Sequence, residues 1–304
     1  MIVKTSPKVS ILIPTYNREK IILETLNSAV NQTYKNIEVI VVDNKSTDNS
    51  YKIIKDFAKS HPNVKVYQND TNIGPVRNWR RCMDYATGEY AKILWSDDWI
   101  DKTFVEKCME ILLPNKDVGF VFTVTLIHSG DEAKIVYRFY EENGIYNTDI
   151  FIRWCLCTGH FPLSPGNFLF RRRDVEDNLL IEIPNDLGLV FEKNGAGNDM
   201  LISLLTAIRY PYFGYISEPL AHFRAHEGSI SCSNDIRLYR MASKKYFVDN
   251  FINDRAAIKA FYWKMWLANL KHRGKYNQLI KKEEIDMVIA FKEFINYFRK
   301  KFKI

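Results

Sequence analysis

Gly88-Glu89-Tyr90-Ala91-Lys92-Ile93-Leu94-Trp95-Ser96-Asp97-Asp98-Trp99 is the stretch whose reading decides the fold. An apolar run from Tyr90 to Trp95 stops abruptly at two adjacent carboxylates, the pattern of a buried strand that delivers charge to the edge of a sheet. In open α/β sheets, ligands bind beyond the carboxyl ends of the strands. Adjacent acids there suit a hard divalent cation, Mg²⁺ or Mn²⁺, which takes oxygen ligands and is shared with substrate phosphates. The competing reading is a Ser-Asp-Asp turn or helix cap, since both residue types favour those places.

The flanking sequence separates the two. Val9-Ser10-Ile11-Leu12-Ile13 is a short apolar run ended by Pro14, as a buried first strand would be, and Thr15-Tyr16-Asn17 forms the loop after it. From Glu19 to Val30, Ile22, Leu23, Leu26 and Val30 recur at helical spacing. A second strand, Ile37 to Val42, ends in Asp43-Asn44, and Lys45-Ser46-Thr47-Asp48 is cap chemistry for a helix from Asn49 to Ser60. A third strand, Val64 to Tyr67, leads to an Asn72-Ile73-Gly74-Pro75 turn and a helix from Val76 to Ala86 closed by Gly88. Strands alternating with helices in this way predict a parallel sheet of βαβ units.

Taken together, Ile13-Pro14-Thr15-Tyr16-Asn17, Val41-Val42-Asp43-Asn44-Lys45-Ser46-Thr47-Asp48, Asn72-Ile73-Gly74, Ala86-Thr87-Gly88-Glu89-Tyr90 and Ser96-Asp97-Asp98 resemble the inverting family 2 glycosyltransferases with a GT-A fold. The resemblance covers Val9 to about Asp101 strongly, continues faintly to Ser231 and is absent after that. It implies an α/β fold of GT-A type, with a mostly parallel central sheet flanked by helices and a helical C-terminal extension. Residues 1–105 would form the nucleotide-sugar-binding half, 106–231 the acceptor-binding half and 232–304 a helical region.

By the same resemblance, Thr15, Tyr16, Asn17, Asp43 and Asn44 hold the nucleotide. A Thr hydroxyl and an aromatic face suit a uracil-like base. Many relatives carry an Asp where this chain has Asn44; the amide still accepts a hydrogen bond but brings no charge, which weakens the usual UDP assignment and leaves dTDP or another nucleotide open. Arg77 occupies a place from which relatives direct an Arg to the nucleotide. Asp98 would ligate the Mn²⁺ or Mg²⁺ that bridges the two phosphates, while Asp97 would face the donor ribose or sugar. A cation is needed because the leaving nucleoside diphosphate develops charge.

In the second half, Thr103 to Leu112 reads as a helix and Val118 to Leu126 as a strand, with Ile135 to Tyr140 a candidate extension of the sheet. Ser164-Pro165-Gly166-Asn167 resembles a small-residue loop beside the transferred sugar, although such loops are common without any function. Gly195-Ala196-Gly197-Asn198-Asp199-Met200 places a carboxylate in the first turn of an apolar helix, where a plain cap is the alternative. The family's general base lies at this place, which assigns Asp199 that role in a single inverting displacement. His226, in His222-Phe223-Arg224-Ala225-His226, matches a family histidine that reaches the metal or the diphosphate, and Arg224 is a candidate phosphate contact.

Composition bounds the remaining choices. The chain has 304 residues, 46% hydrophobic, 26% charged and 14% aromatic, with a net charge of +7 that favours anionic partners. The cysteines Cys82, Cys108, Cys155, Cys157 and Cys232 have no metal-type spacing and read as reduced thiols. No apolar run approaches the roughly 20 residues that span a bilayer, so a cytoplasmic protein is expected, with contact to the inner membrane face open. That contact would use a basic amphipathic helix from Glu283 to Ile304, whose stripe of Val288, Phe291, Phe294, Ile295, Phe298 and Phe302 can equally pack on the domain. The acceptor would be a saccharide or lipid-linked, in polysaccharide or glycan synthesis. A nucleotidyltransferase is the alternative, but its glycine- and lysine-rich loop is missing. Nucleic-acid-binding motifs and a GxGxxG are missing too, which disfavours a nucleic-acid binder and a dinucleotide dehydrogenase.

Overall fold

A computed structural model of the chain describes residues 6–157, 162, 164–225 and 236–285. The central strand, β1 (Val9–Thr15), is buried at every residue and pairs in parallel with β2 (Ile37–Asp43) and β4 (Tyr90–Ile93). β3 (Val64–Gln68) adds to β2, also in parallel. The helices between them are α1 (Ile22–Val30), α2 (Ser50–Ala58) and α3 (Pro75–Asp84). This is the βαβ alternation expected from the apolar spacing.

One close approach explains Gly88. A Cβ there would lie 2.7 Å from both the amide nitrogen and the hydroxyl of Ser10, so only glycine lets the chain pass β1 into β4. Glu38 of β2 clamps the crossing. Its buried carboxylate accepts from Ser10 Oγ at 2.7 Å and from the Thr87 amide at 2.6 Å, and it pairs with Lys65 Nζ at 2.9 Å. The strand that carries Asp97 and Asp98 is thereby set beside β1.

Beyond β4 the sheet becomes mixed. Its order is β3-β2-β1-β4, then β9 (Phe168–Arg171), β6 (Val118–Ser129), β10 (Tyr212–Arg224) and β5 (Trp99–Ile100), with β7 (Glu132–Val136) on β6 and β8 (Gly144–Asn147) on β10. β5 and α4 (Phe104–Leu112) follow the acidic turn. β6 runs three residues past the expected end, and β7 returns against it as a hairpin. Then come β8, α5 (Thr148–Cys157), β9 and α6 (Arg172–Asn178). β9 lies antiparallel between β4 and β6. α7 (Asn198–Ala207), β10, α8 (Ile236–Phe251) and α9 (Arg255–Lys271) complete the described chain.

Apolar side chains alternate between the two faces of the sheet. Ile11, Ile13, Val39 and Val41 meet α1, α2 and α4, whereas Leu12, Ile40, Val42, Phe120 and Phe122 meet α3, α7 and α8. β10 is among the elements that the sequence pattern did not reveal. Its register against β6 shifts around Pro219, a bulge that breaks the alternation a strand is recognised by. The bend carries Arg224 to the acidic turn. Among the described residues no helix is long and apolar enough to cross a membrane. The stripe from Val288 to Phe302 and its basic end lie outside the described residues, as does Cys232. Cys82, Cys108, Cys155 and Cys157 are free thiols.

Candidate active site

The carboxyl ends of β1, β2 and β4 open into a cavity of about 690 Å³. Thr15, Tyr16 and Asn17 after β1, Asn44 after β2, and the turn from Trp95 to Asp98 after β4 line one side. Facing them are residues 193–196, Asp199 at the start of α7, Arg240 of α8, and residues 223–225 at the end of β10. Asp98 and Asp199 thus share one cleft.

The expected nucleotide residues occupy different positions in this frame. The Thr15 carbonyl accepts the Asn44 amide at 2.8 Å, joining the two loops. Asn17 adopts φ +51° and its Oδ1 accepts the Thr47 amide at 2.9 Å. Tyr16 is 39% exposed and offers its ring at the mouth. Asn44 is used on all sides: Nδ2 donates to Asn72 Oδ1 and Gly74 O, and Oδ1 accepts from Asn69 Nδ2 and the Ile73 amide. A carboxylate could accept but not donate these bonds, so the amide organises the turn from Asn69 to Gly74. Asp43 is fully buried beneath the cavity lining, holding Ser46 and Gln68. Arg77 is bound to Glu192 at 2.6 Å and is not a lining residue. His226 lies outside the described residues.

The two acids of the turn differ. Asp97 pairs with Arg18 at 3.3 Å. Asp98 is 6% exposed, and its Oδ1 accepts the Arg224 amide at 2.9 Å. Burial pushes its carboxyl well above the ordinary range, and the neighbouring Asp97 pushes it the same way, against the Arg224 amide and the Lys92 and Arg224 charges. Arg224 also donates to the Asp97 carbonyl, pairs with Glu24, and lies 5.0 Å over the Trp99 ring. Lys92 is fully buried in β4, donating to the Gly166 carbonyl, and burial lowers its pKa to about 7.

Among the described residues no group of three or more His, Cys, Asp or Glu is placed to hold a metal. A cation shared with a diphosphate needs only one or two protein carboxylates, and Asp98 fits that requirement. It is a buried acid at a cavity wall, held through Oδ1 by the Arg224 amide.

At the other end, Asp199 Oδ1 accepts the amides of Gly197 and Met200, each at 2.8 Å. Burial raises its pKa, opposed by Arg240 and by those amides. A carboxylate shielded from water takes a proton more readily than an exposed one. Sequence reasoning missed several residues here. Trp79 and Trp95 line the cavity with ring centroids 4.7 Å apart, and Trp95 Nε1 donates to Ser164 at 2.6 Å. Gly195 was the available clue, since a Cβ there would meet Trp79 at 2.1 Å. Arg18 directly follows the first loop, whereas Tyr137, Lys193 and Arg240 carry no local signal.

Comparison with known proteins bears on the family and the fold. The chain is 38% identical to the glycosyltransferase-type protein EpsH of Bacillus subtilis, over 74% of this chain and 63% of that one. It is 33% identical to the chondroitin synthase of Pasteurella multocida, over 59% of this chain and 18% of that one. The chain spans less than two thirds of the length of such curated relatives. Among solved structures, S. aureus TarS 1-349 in complex with UDP-GlcNAc matches 91% of this chain and 77% of its own, with TM-score 0.67 and 20% identity. That likeness concerns the fold, which is the GT-A arrangement. The sequence model of glycosyl transferase family 2 matches residues 10–179. This span is more than half of the chain and contains every loop from β1 to the acidic turn; the chain belongs to glycosyl transferase family 2.

Proposed function

We propose that the chain moves a sugar from a nucleoside diphosphate donor to an acceptor hydroxyl by one inverting displacement, in the synthesis of a cell-surface polysaccharide or glycan. The observation that carries this reading is the shared cavity of Asp98 and Asp199. TarS crystallises with UDP and with UDP-GlcNAc, which supports a UDP-linked donor over a dTDP-linked one.

Thr15, Tyr16, Asn17 and Asn44 seat the base and ribose, with Asp43 fixing the turn beneath them. Arg77 exchanges Glu192 for the nucleotide, and Asp97, steadied by Arg18, faces the ribose or sugar. Asp98 and His226 hold Mn²⁺ or Mg²⁺. The cation supplies neutralisation of the charge on the departing diphosphate. Asp199 takes the acceptor proton, and the attacking oxygen approaches opposite the leaving group, which inverts the anomeric centre. Residues 1–105 serve the donor and 106–231 the acceptor. The basic end of residues 232–304 contacts the inner membrane face, where the acceptor is a saccharide or lipid-linked.

Thermal denaturation with UDP or dTDP, in Mn²⁺ or in chelator, tests the donor half. At a hundredfold excess over Kd, ligand should add about 2.7 kcal/mol with metal present and little without. Asp98→Asn should abolish the difference. Equal stabilisation in chelator rejects the metal assignment, and stabilisation by oligonucleotides alone rejects the transferase reading.

A further inference from the structure

The acceptor end of the cavity carries a positive charge that the chemistry so far leaves unused. Arg240 lines it from α8. Its buried Nε has no hydrogen-bond partner, and among the described residues the side chain makes no ion pair. The other arginines around the site are engaged: Arg18 by Asp97, Arg77 by Glu192, Arg224 by Glu24. Lys193 lines the same cavity and likewise has no ion pair among the described residues.

The placement is built. Gly197, at φ +107°, leaves room for α8: a Cβ there would meet Ser243 Oγ at 2.0 Å and the Tyr239 carbonyl at 3.2 Å. That contact seats Arg240 beside the Asp199 turn. Tyr137, at the left-handed φ of +62°, completes the wall. Such a conformation in a bulky residue persists only where surrounding structure imposes it, and it clusters at functional sites. The α7–α8 contact at Gly197 sets Arg240 at the Asp199 end of the cavity, where its charge acts on Asp199 and Tyr137.

We propose that this subsite selects an acceptor bearing an acidic group, a phosphodiester or a carboxylate, next to the hydroxyl that receives the sugar, and that Arg240 is the specificity-determining residue. The proposal rests on the transferase reading above, because Asp199 defines which end takes the acceptor. A neutral acceptor offers the guanidinium donors, of which Nε is buried, only uncharged oxygens and leaves the positive charge uncompensated. An anionic oxygen would satisfy them with charge-assisted hydrogen bonds. Lys193 at the mouth adds attraction without being buried. The Trp79 and Trp95 rings offer the flat apolar surface on which a saccharide ring stacks.

The test is tryptophan-fluorescence titration of the whole chain, with and without UDP and Mn²⁺, using three oligomers. These are a neutral N-acetylhexosamine disaccharide, a disaccharide containing a hexuronate, and a short polyol-phosphate oligomer. At least one acidic probe should bind tenfold or more tighter than the neutral one, and which does so identifies the acid. Arg240→Gln should remove that preference while leaving UDP affinity unchanged, and Arg240→Lys should restore part of it. Neutral and acidic probes binding alike, no binding of either acidic probe, or a loss of UDP affinity in Arg240→Gln would each overturn the proposal. Failure of UDP and Mn²⁺ to bind the unaltered chain would instead count against the transferase reading.

Discussion

Asp199→Asn separates catalysis from folding. The amide oxygen of Asn can still accept the Gly197 and Met200 amides that Oδ1 accepts at 2.8 Å. The substitution removes a negative charge from the first turn of α7, worth about 0.3–1 kcal/mol, together with the attraction to Arg240. It also relieves the burial of a carboxylate that raises the pKa of this group. These effects oppose one another, so stability should change by less than about 1 kcal/mol, roughly 2 °C in Tm. Loss of a general base should lower turnover by roughly 10²–10⁴, or about 3–5 kcal/mol of barrier. Sugar transfer should be followed by nucleotide release and by mass of the glycosylated product, across pH. Asp199 must be ionised to take a proton, so wild-type activity is lost as pH falls through its folded pKa. Because burial raises that pKa above 3.8, the acid limb lies higher than for an exposed aspartate. A variant that keeps more than about a tenth of the turnover, with the acid limb intact, refutes the role of Asp199 as base.

Glu38 makes a second prediction. Burial raises its pKa, but the Lys65 charge and the Ser10 and Thr87 donors outweigh it and bring the carboxyl down from 4.5 to about 2. Its stabilisation is therefore complete above pH 4.5 and is lost as pH falls toward 2. After allowance for the half-exposed Lys65, the contribution is about 2 kcal/mol. Urea denaturation should show Glu38→Gln less stable than wild type by this amount at neutral pH, and the two converging in acid; a pH-independent gap sinks the idea. Gly195→Ala should cost about 2–4 kcal/mol, since it forces a left-handed residue at φ +71° against Trp79. Gly188→Ala, at φ +67° with open space around it, should cost only about 1 kcal/mol, so equal costs in guanidinium melts would reject the clash.

The loops that line the cavity after β1, β2 and β4 were legible because each follows a strand whose every residue is apolar or buried. In β1, β2 and β4 the local pattern alone marks where the sheet edge falls, and Thr15, Asn44 and Asp98 then occupy that edge. Periodicity also marked α7 and the acid at its start. It did not mark β10, because the bulge around Pro219 destroys the alternation, nor β9, whose four residues are too few to show a period.

Residue type and local spacing by themselves determined the βαβ sheet, its acidic edge and the family, since burial on a parallel sheet is written into consecutive residues. Tertiary structure alone decided that Arg224 closes over Asp98, that Arg77 answers to Glu192, and that Arg240 stands beside Asp199. Those partners lie far apart along the chain. Their meeting depends on the bend of β10 and on the glycine contact between α7 and α8, which only the packed whole sets.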